Sequence, residues 1–245
     1  MKISATIITL NEEKNIRDCI TSVQNFCDEV IVLDSESTDA TREIATEMGA
    51  TVIVQPYLGD GPQKACAASH ASHDWVLSLD ADERVDAEMA KAIAAVDLDN
   101  AVADHFAFNR KTFIGDEWNR VWYPDFCVRL YNRKTAEYEK KMGHAKVIGD
   151  SPAKLAGHIL HYSFDDYEHL ARVTIKFANR GANMFVEKNK KIGPLSPITH
   201  AVTAFLRKYL GKKGIFYGES GLTVSLTTAY GTYLKYALAR KRKRS

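Results

Sequence analysis

The first hundred residues alternate between short, uninterrupted apolar runs and longer segments with helical periodicity. Four apolar runs are rich in β-branched residues, which is typical of strands buried on both faces of a parallel sheet. These runs are Ile3–Thr9, Glu29–Asp34, Thr51–Val54 and Trp75–Asp80. The intervening segments predict four helices. The first is capped by Asn11, the second starts at Ser37, and the other two lie over 62–72 and 86–96. Strands separated by helices predict an α/β fold with a parallel sheet and helices on both faces.

The remainder of the chain changes character twice. Between residues 104 and 162 the segments HFAFNRKTFIG, FCVRLYN and KLAGHILHYS are typical of strands that are joined without long helices. From Asp165 onward the pattern is helical, interrupted at Pro194 and Pro197. The pattern therefore predicts a sheet domain over 1–162 and a helical region over 163–245.

The near-neutral charge of the chain hides a strong asymmetry. Lys and Arg total 33 and Asp and Glu total 31, but residues 1–150 hold 16 basic and 26 acidic side chains, whereas residues 151–245 hold 17 and 5. The net charge is thus −10 for residues 1–150 and +12 for residues 151–245. This asymmetry predicts that the second part contacts an anionic surface or ligand. With 45% hydrophobic and 26% charged residues, the composition is that of a globular protein and excludes a disordered chain.

Other composition signals restrict the compartment. The four cysteines form no C-x-x-C pair, so neither a zinc site nor a disulfide framework is expected. A reducing compartment is therefore expected. The sequence starts with a strand-like segment rather than a signal peptide, and no segment approaches the ~20 apolar residues of a membrane span. These features favour a cytoplasmic protein.

Polar residues follow three of the predicted parallel strands, where ligands of such sheets bind. The first strand is followed by neither G-x-G-x-x-G nor G-x-x-x-x-G-K-[ST], which argues against a dinucleotide or P-loop site. Asp80 and Asp82, one residue apart at the end of the fourth strand, could instead share one Mg²⁺ or Mn²⁺ with a diphosphate. The alternative is that these carboxylates only cap the next helix.

The order and spacing of these segments resemble a known family. ATIITLNEEKNI, EVIVLDSESTDAT and DWVLSLDADE resemble family 2 glycosyltransferases of the GT-A fold. The later segments NRK, WYPD, VRLY, GH and HYS are similar to enzymes that add a β-1,4-linked glucose to the inner-core heptose of bacterial lipopolysaccharide. The resemblance implies a Rossmann-like, mostly parallel sheet that binds nucleotide-sugar and acceptor over 1–162, and a basic helical extension on the acceptor and membrane side over 163–245.

The resemblance also implies roles for individual residues. Asp34 would accept a hydrogen bond from uracil, and Asp80 and Asp82 would contact ribose, metal and diphosphate. The residues implied to bind the nucleotide-sugar are Thr9, Asn11, Glu12, Asp34, Lys64, Asp80 and Asp82. For two of them a simpler interpretation stays open: Glu12 could be a helix-dipole charge, and Lys64 a surface lysine.

The general base of an inverting transfer is less well defined by the sequence. Asp125, in a Trp-Tyr-Pro-Asp turn, is the first candidate, and His144 is the second, or else a further metal ligand. For each of them a structural role is the alternative. The related enzymes commonly carry Glu after this histidine, where the chain has Ala145, and a small residue where it has Glu36. Ala145 leaves open a binding module without activity. The bulkier Glu36 could narrow the nucleoside pocket or bond to ribose, which leaves the identity of the donor open.

Acceptor contacts are predicted from aromatic and basic residues. Trp122 and Arg129 are the candidate acceptor residues, with a core role as the alternative for the tryptophan. Basic helices with apolar faces suit an anionic membrane surface, and the Gly- and Tyr-rich stretch 217–236 could support a homo-oligomer. No nucleic-acid motif accompanies the charge, so no nucleic-acid partner is expected.

Together these features predict an inverting, Mg²⁺- or Mn²⁺-dependent hexosyltransferase. It would move glucose from a UDP-sugar to a lipopolysaccharide core acceptor, as a peripheral protein on the cytoplasmic face of the bacterial inner membrane. Transfer to another lipid-linked or protein acceptor is the enzymatic alternative.

Overall fold

The computed structural model describes residues 2–101, 103–139, 145–149 and 151–243. Within these ranges the chain forms eleven strands and seven α-helices. The strands are β1 (Ile3–Thr9), β2 (Glu29–Asp34), β3 (Thr51–Val54), β4 (Trp75–Asp80), β5 (Glu83–Val85), β6 (His105–Ile114), β7 (Glu117–Trp118), β8 (Phe126–Asn132), β9 (Glu137–Tyr138), β10 (Val147–Ile148) and β11 (Ala153–Phe164). The helices are α1 (Ile16–Val23), α2 (Thr41–Glu47), α3 (Asp60–Ser69), α4 (Ala87–Ala94), α5 (Tyr167–Glu187), α6 (Ser196–Leu206) and α7 (Gly218–Arg242).

The chain divides into two compact units. The first comprises Met1–Arg110 and Pro124–His161, and the second comprises Lys111–Tyr123 and Tyr162–Ser245. The short segment 111–123 thus belongs with the C-terminal helices. The division into functional domains at residue 162 stays a prediction.

The first unit is built on a mixed sheet with the order β3-β2-β1-β4-β8-β6-β11-β5. The first three neighbouring pairs, from β3 to β4, are parallel, and their order is that of a Rossmann-type half sheet. The β4–β8, β8–β6 and β11–β5 pairs are antiparallel. The predicted α/β fold with a Rossmann-like parallel sheet is confirmed, and the middle segments supply its antiparallel half.

Helices cover both faces of this sheet. Successive side chains of a strand point to opposite faces, so β4 contributes to two separate cores. Leu77 and Leu79 pack in a core with residues of α1 and α4, whereas Val76 packs in a second core with α3. The predicted arrangement of helices on both faces is confirmed.

The predicted start of the first helix is wrong. Asn11 does not cap it, because α1 begins at Ile16 and Asn11 lies in a turn with a left-handed φ of 54°. Asparagine tolerates this conformation better than most residues, and its side chain bonds to the loop after β2 instead. The second helix likewise begins later than predicted, at Thr41, because Asp39 accepts from the Thr41 backbone N–H at 3.1 Å.

Gly157 of β11 lets α4 approach the sheet closely. A Cβ atom there would lie 2.1 Å from the backbone nitrogen of Met89, and Gly157 also has a φ of +88°. We expect Gly157→Ala to lower the free energy of unfolding by about 2–4 kcal/mol, through strain and overlap together. Urea denaturation followed by circular dichroism measures this change.

Gly49→Ala is the matched control for that substitution. Gly49 has a similar φ of +81°, but a Cβ there would meet nothing within 4 Å. Its expected cost is therefore only the backbone strain, about 1 kcal/mol. Equal losses in the two variants would show that the close approach of α4 contributes nothing.

The second unit contains the three long C-terminal helices. α7 packs against α5 where Gly231 meets Thr174, since a Cβ at Gly231 would lie 2.5 Å from that side chain. It packs against α6 where His200 stacks on Tyr236 at 4.2 Å. Gly221 is likewise in close contact within the chain, with Gly214. Two glycines of stretch 217–236, Gly221 and Gly231, thus serve contacts inside the unit, and the predicted homo-oligomer stays a prediction.

Four hydroxyl side chains of α7 are satisfied locally. Ser225, Thr227, Thr228 and Thr232 each donate to the carbonyl four residues earlier, at 2.7–2.8 Å. Among the residues that the structure describes, no helix has both the length and the apolar character needed to cross a membrane.

Candidate active site

The carboxyl ends of β1, β2 and β4 meet at one edge of the sheet. Thr9 is in register with Asp34, and the preceding Ile8 is in register with Asp80. Three of the polar residues predicted to bind a nucleotide-sugar are therefore brought together by strand pairing. Parallel sheets bind their ligands at this edge.

Asp34 organises the loop that follows β2. Its carboxylate is fully buried and accepts hydrogen bonds from the backbone N–H of Ser37 at 2.9 Å and from the Ser37 hydroxyl at 2.5 Å. Arg42 Nε lies 3.8 Å from the same carboxylate. Asn11 closes the loop from β1, because its side-chain oxygen accepts from the Thr38 N–H at 2.8 Å. These hydrogen bonds hold the loop in place beside the edge of the sheet.

Glu36 sits in this loop at a strained backbone position. Its φ is 65°, in the left-handed region that favours glycine, and its side chain is exposed. This conformation explains why a small residue is expected here. The predicted effect of Glu36 on the nucleoside pocket stays a prediction.

Two further donor-site candidates differ in how they are bonded. The Thr9 hydroxyl is buried and makes no hydrogen bond to any described residue, which is unusual for a buried polar group. Glu12 is held by the polypeptide: its N–H donates to the Thr41 hydroxyl at 2.8 Å, and its carboxylate accepts from the Asn15 side chain at 2.7 Å.

Asp80 lies between two cations. Lys64 Nζ is 2.9 Å from one carboxylate oxygen and 3.0 Å from the other, and Arg129 Nη2 is 3.2 Å away. Lys64 is only 7% exposed, so the interpretation of this residue as a surface lysine is wrong. Lys64 reaches the sheet edge from α3, on the face opposite α1.

Glu83 binds Arg129, one of the two cations beside Asp80. It is fully buried and accepts two hydrogen bonds from Arg129, from Nε at 2.8 Å and from Nη2 at 2.6 Å. Burial alone would raise the pKa of Glu83, but the Arg129 guanidinium and its hydrogen bonds outweigh burial and lower this pKa well below its usual range. Arg129 is also buried, and its guanidinium forms ion pairs with Glu83 and Asp80. Its predicted contact with an acceptor stays a prediction.

Asp82, the second carboxylate of the Asp-x-Asp motif, faces His161 of β11. Asp82 Oδ2 lies 3.1 Å from His161 Nε2, and both side chains are partly accessible. Burial by itself lowers the pKa of His161, but the charge and hydrogen bond of Asp82 raise it above the ordinary value. A carboxylate oxygen and an imidazole nitrogen at this distance are able to share a divalent cation when the imidazole is neutral.

His144 lies outside the described residues, so its predicted roles as base or metal ligand stay predictions. Ala145, which follows it, is partly buried and packs against the core that contains Tyr131 and Tyr138. The position where a glutamate was expected is therefore filled by a small core residue.

A second group of metal-type ligands occurs among the described residues. Asp86, Glu88 and His158 offer donor atoms within 4.8 Å of one another. Asp86, however, caps α4 by accepting from the Met89 N–H at 2.8 Å, and it also accepts from the His158 N–H at 3.0 Å. These bonds give Asp86 a structural role at the start of α4.

Asp125, the first candidate for the base, is fixed just before β8. Its Oδ2 accepts hydrogen bonds from Arg110 at 3.0 and 2.7 Å, and its N–H donates to the Asn109 side chain at 2.9 Å. The side chain is 36% exposed, so solvent reaches it. Arg110 also approaches Glu83 at 3.4 Å, which links Asp125 through two arginines to the carboxylate of Asp80.

The candidate acceptor tryptophan lies in the second unit. Trp122 is half-buried and packs against Phe164 with ring centroids 5.8 Å apart, at the edge of a small core. Trp118 in the same segment has Lys111 at 5.1 Å and Arg120 at 4.8 Å from its ring. Both rings thus have structural contacts, and the predicted role of Trp122 with an acceptor stays a prediction.

The comparisons with known proteins identify the family. The model of the family described as Glycosyl transferase family 2 matches residues 4–155, which include the parallel sheet, the Asp-x-Asp motif and Asp125. The chain belongs to glycosyl transferase family 2. It is therefore a glycosyltransferase with the α/β fold that the sequence predicted.

Relatives match along almost the whole chain. An uncharacterized glycosyltransferase of Rickettsia typhi is 34% identical over 98% of this chain and 87% of its own length. The lipopolysaccharide core biosynthesis glycosyltransferase LpsC of Rhizobium meliloti is 25% identical over 97% of this chain and 94% of its own. Among solved structures, S. aureus TarS 1–349 in complex with UDP is 17% identical, with a TM-score of 0.47, and the match covers 95% of this chain and 91% of that one.

Proposed function

We propose that the protein is an inverting glycosyltransferase that moves glucose from UDP-glucose to the core of a lipopolysaccharide, with Mg²⁺ or Mn²⁺. One observation carries this proposal: the buried Asp34, the free Thr9 hydroxyl and the Asp80–Asp82 pair lie together at the ligand-binding edge of a family 2 sheet. This arrangement offers separate binding partners for the nucleobase, a sugar and the diphosphate of the donor.

The donor would bind across the ends of β1, β2 and β4. Asp34 is held as an acceptor by Ser37, and a uracil N–H is a donor of matching chemistry. The Thr9 hydroxyl would supply a hydrogen bond to the nucleoside. Asn11 and Glu12 would act mainly by fixing the loops on either side.

Asp82 and His161 would hold the divalent cation. Their donor atoms are 3.1 Å apart and partly accessible, whereas the Asp80 carboxylate is already neutralised by Lys64 and Arg129. When bound, the cation would offset the charge that develops on the departing UDP. Asp80 would then act as an acceptor for ribose hydroxyls, and Lys64 would add positive charge beside the diphosphate.

Asp125 would take the proton of the acceptor hydroxyl. Arg110 holds its Oδ2, which fixes the carboxylate in one orientation. We expect Asp125→Asn to lower kcat by about 10²–10⁴-fold, because the amide cannot accept the proton, while the Kd for UDP is unchanged. Steady-state kinetics and calorimetric titration with UDP measure the two effects.

Asp74→Asn is the control for this prediction. Asp74 is also ion-paired, with Lys134 at 2.7 Å, and is 31% exposed, but it lies at the amino end of β4. Its replacement should leave kcat within a factor of about two, since it is remote from the reacting groups. A kcat of Asp125→Asn close to that of the control would remove Asp125 as the base.

The acceptor assignment rests on the likeness to a lipopolysaccharide core enzyme and on the charge of the chain. The relative LpsC spans nearly the whole chain, and residues 151–245 carry 17 basic and 5 acidic side chains. Lipopolysaccharide cores carry phosphates, which such a region would attract. On this proposal the enzyme works as a peripheral protein at the anionic cytoplasmic face of the bacterial inner membrane.

Release of UDP tests the proposal. The purified protein is incubated with UDP-glucose and Mn²⁺, with and without purified core oligosaccharide. We expect UDP release that depends on the core acceptor and stops when the metal is chelated. Turnover with another glycolipid or a protein acceptor alone would refute the lipopolysaccharide assignment, and turnover that is indifferent to chelation would refute the metal.

A further inference from the structure

One exposed face of α6 is apolar along its whole length. Large apolar residues recur at intervals of three or four, which places them on one side of a helix. They continue from the residue before α6 into the π-helical turn after it: Leu195, Ile198, Val202, Leu206 and Leu210. Each of them is 46–67% exposed. No described residue of the chain covers this stripe.

α7 carries a second stripe of the same kind. Its exposed apolar side chains are Leu222, Leu226, Tyr230 and Tyr233, again spaced by three or four residues, and they are 39–53% exposed. The buried positions of α7, among them Val224 and Tyr236, point elsewhere, toward the other helices. α7 therefore has one side buried in the second unit and a separate apolar side in solvent.

The two stripes lie side by side. α6 and α7 pack antiparallel, with Arg240 donating to the Pro194 carbonyl at 3.4 Å at one end. Ile198 of one stripe and Tyr233 of the other line the same shallow depression. We call the nine residues of the two stripes the apolar plateau.

The helical region that carries the apolar plateau is strongly basic. Residues 188–245 contain 13 Lys and Arg but one acidic residue, Glu219. Arg240 and Lys241 border the depression at one end, and Arg207, Lys212 and Lys213 lie at or just beyond the end of α6 at the other. An apolar surface bordered by cations at both ends is complementary to lipid chains beneath anionic headgroups.

We infer that the apolar plateau inserts into the interfacial layer of an anionic bilayer. Basic residues draw the second unit to the surface, and burial of leucine, isoleucine and valine side chains then holds it there. The tyrosines suit the headgroup boundary, since their rings are apolar and their hydroxyls are polar. This inference rests on the proposed function in that a lipid-linked acceptor gives the contact its purpose, but membrane binding can be measured without catalysis.

Vesicle sedimentation with adjacent charge substitutions tests the inference. Val202→Glu places a carboxylate on the apolar plateau, and Thr203→Glu places the same charge on the polar side of α6, where Thr203 lies near Arg207 and Lys235. Leu226→Glu repeats the test on α7. Binding is measured to vesicles of phosphatidylcholine with phosphatidylglycerol, and of phosphatidylcholine alone, at about 0.05 M and about 0.5 M NaCl.

Wild-type protein should bind the anionic vesicles and keep part of that binding at high salt. Val202→Glu and Leu226→Glu should each weaken partitioning by at least about tenfold at both salt concentrations, because apolar burial is lost. Thr203→Glu should weaken it by less than about fivefold, and only at low salt. Circular dichroism confirms that each variant is folded.

Two outcomes would overturn the inference. If Val202→Glu and Thr203→Glu weaken partitioning to anionic vesicles equally, and high salt abolishes all vesicle binding, charge alone holds the protein to lipid. If wild-type protein fails to bind vesicles but sediments as a dimer that Val202→Glu dissociates, a second copy of the chain covers the apolar plateau. UDP release with soluble core oligosaccharide, measured on the same samples, separates either failure from failure of the proposed function.

Discussion

Asp82→Asn is expected to lower kcat/KM for glucose transfer by about 10³-fold, because a bound cation that neutralises the leaving diphosphate contributes several kcal/mol to the transition state. The substitution retains the shape of the side chain but removes the negative charge that faces His161 at 3.1 Å. Mn²⁺ should consequently stop strengthening the binding of UDP. Calorimetric titrations of UDP with and without Mn²⁺, together with initial rates, measure both effects.

Asp86→Asn is the matched control for Asp82→Asn. Asp86 is also paired with a histidine, His158, at 3.1 Å, and belongs to the other cluster of potential ligands. Its replacement should cost about 1 kcal/mol of stability through the α4 cap and leave the Mn²⁺ effect on UDP intact. If instead Asp86→Asn removes the Mn²⁺ effect and Asp82→Asn does not, the cation site has been assigned to the wrong pair.

Arg129→Met is expected to cause a large loss of stability, about 3–5 kcal/mol in the free energy of unfolding. The guanidinium is the main partner of Glu83, which has no exposure to solvent. Without Arg129 this carboxylate is left buried with Arg110 at 3.4 Å, and Asp80 loses one of its two cations. Urea denaturation followed by circular dichroism measures the loss.

Two comparisons make the Arg129 prediction specific. The double variant Glu83→Gln/Arg129→Met should be more stable than Arg129→Met alone, since no uncompensated charge is then left at residue 83. Arg17→Met removes an exposed ion pair with Glu47 at 3.3 Å and should cost less than about 1 kcal/mol. A loss in Arg129→Met no larger than in Arg17→Met would mean that the buried network does not support the fold.

The parallel half of the sheet was predictable because its strands are signalled locally. Ile3–Thr9, Glu29–Asp34, Thr51–Val54 and Trp75–Asp80 were predicted with the bounds that the structure shows. Such strands are dominated by apolar, often β-branched residues, and the turns around them are polar. Two- and three-residue strands such as β5 and β7 carry no such signal, since pairing with distant strands defines them.

The sheet edge of the candidate site was predictable for the same reason, and its electrostatic network was not. Strand order alone brings Asp34 and Asp80 together. Glu83, Arg110 and His161 were not identified as site residues, because the contacts that join them to the site span long stretches of sequence: 27 positions for Arg110–Glu83, 46 for Arg129–Glu83 and 79 for His161–Asp82. In the sequence the His-Tyr-Ser segment carries only a resemblance, and its proximity to Asp82 follows from β11 pairing with β5.

The burial of Lys64 shows a further limit. An Ala-rich helix with one lysine gives no sign of which face the lysine occupies. The structure points Lys64 at Asp80, where the ion pair compensates for the loss of hydration. An apolar pattern predicts which helix faces are buried, but it cannot identify a buried charge whose partner lies on another element.

The central claim, inverting transfer of glucose from UDP-glucose at this site, is tested most directly by the configuration of the product. The purified enzyme is supplied with UDP-α-glucose and core oligosaccharide, and the anomeric proton of the transferred sugar is observed by NMR. A single displacement with Asp125 as base predicts a newly formed β-glucoside. An α-glucoside, or hydrolysis of UDP-glucose without transfer to the oligosaccharide, would contradict the claim.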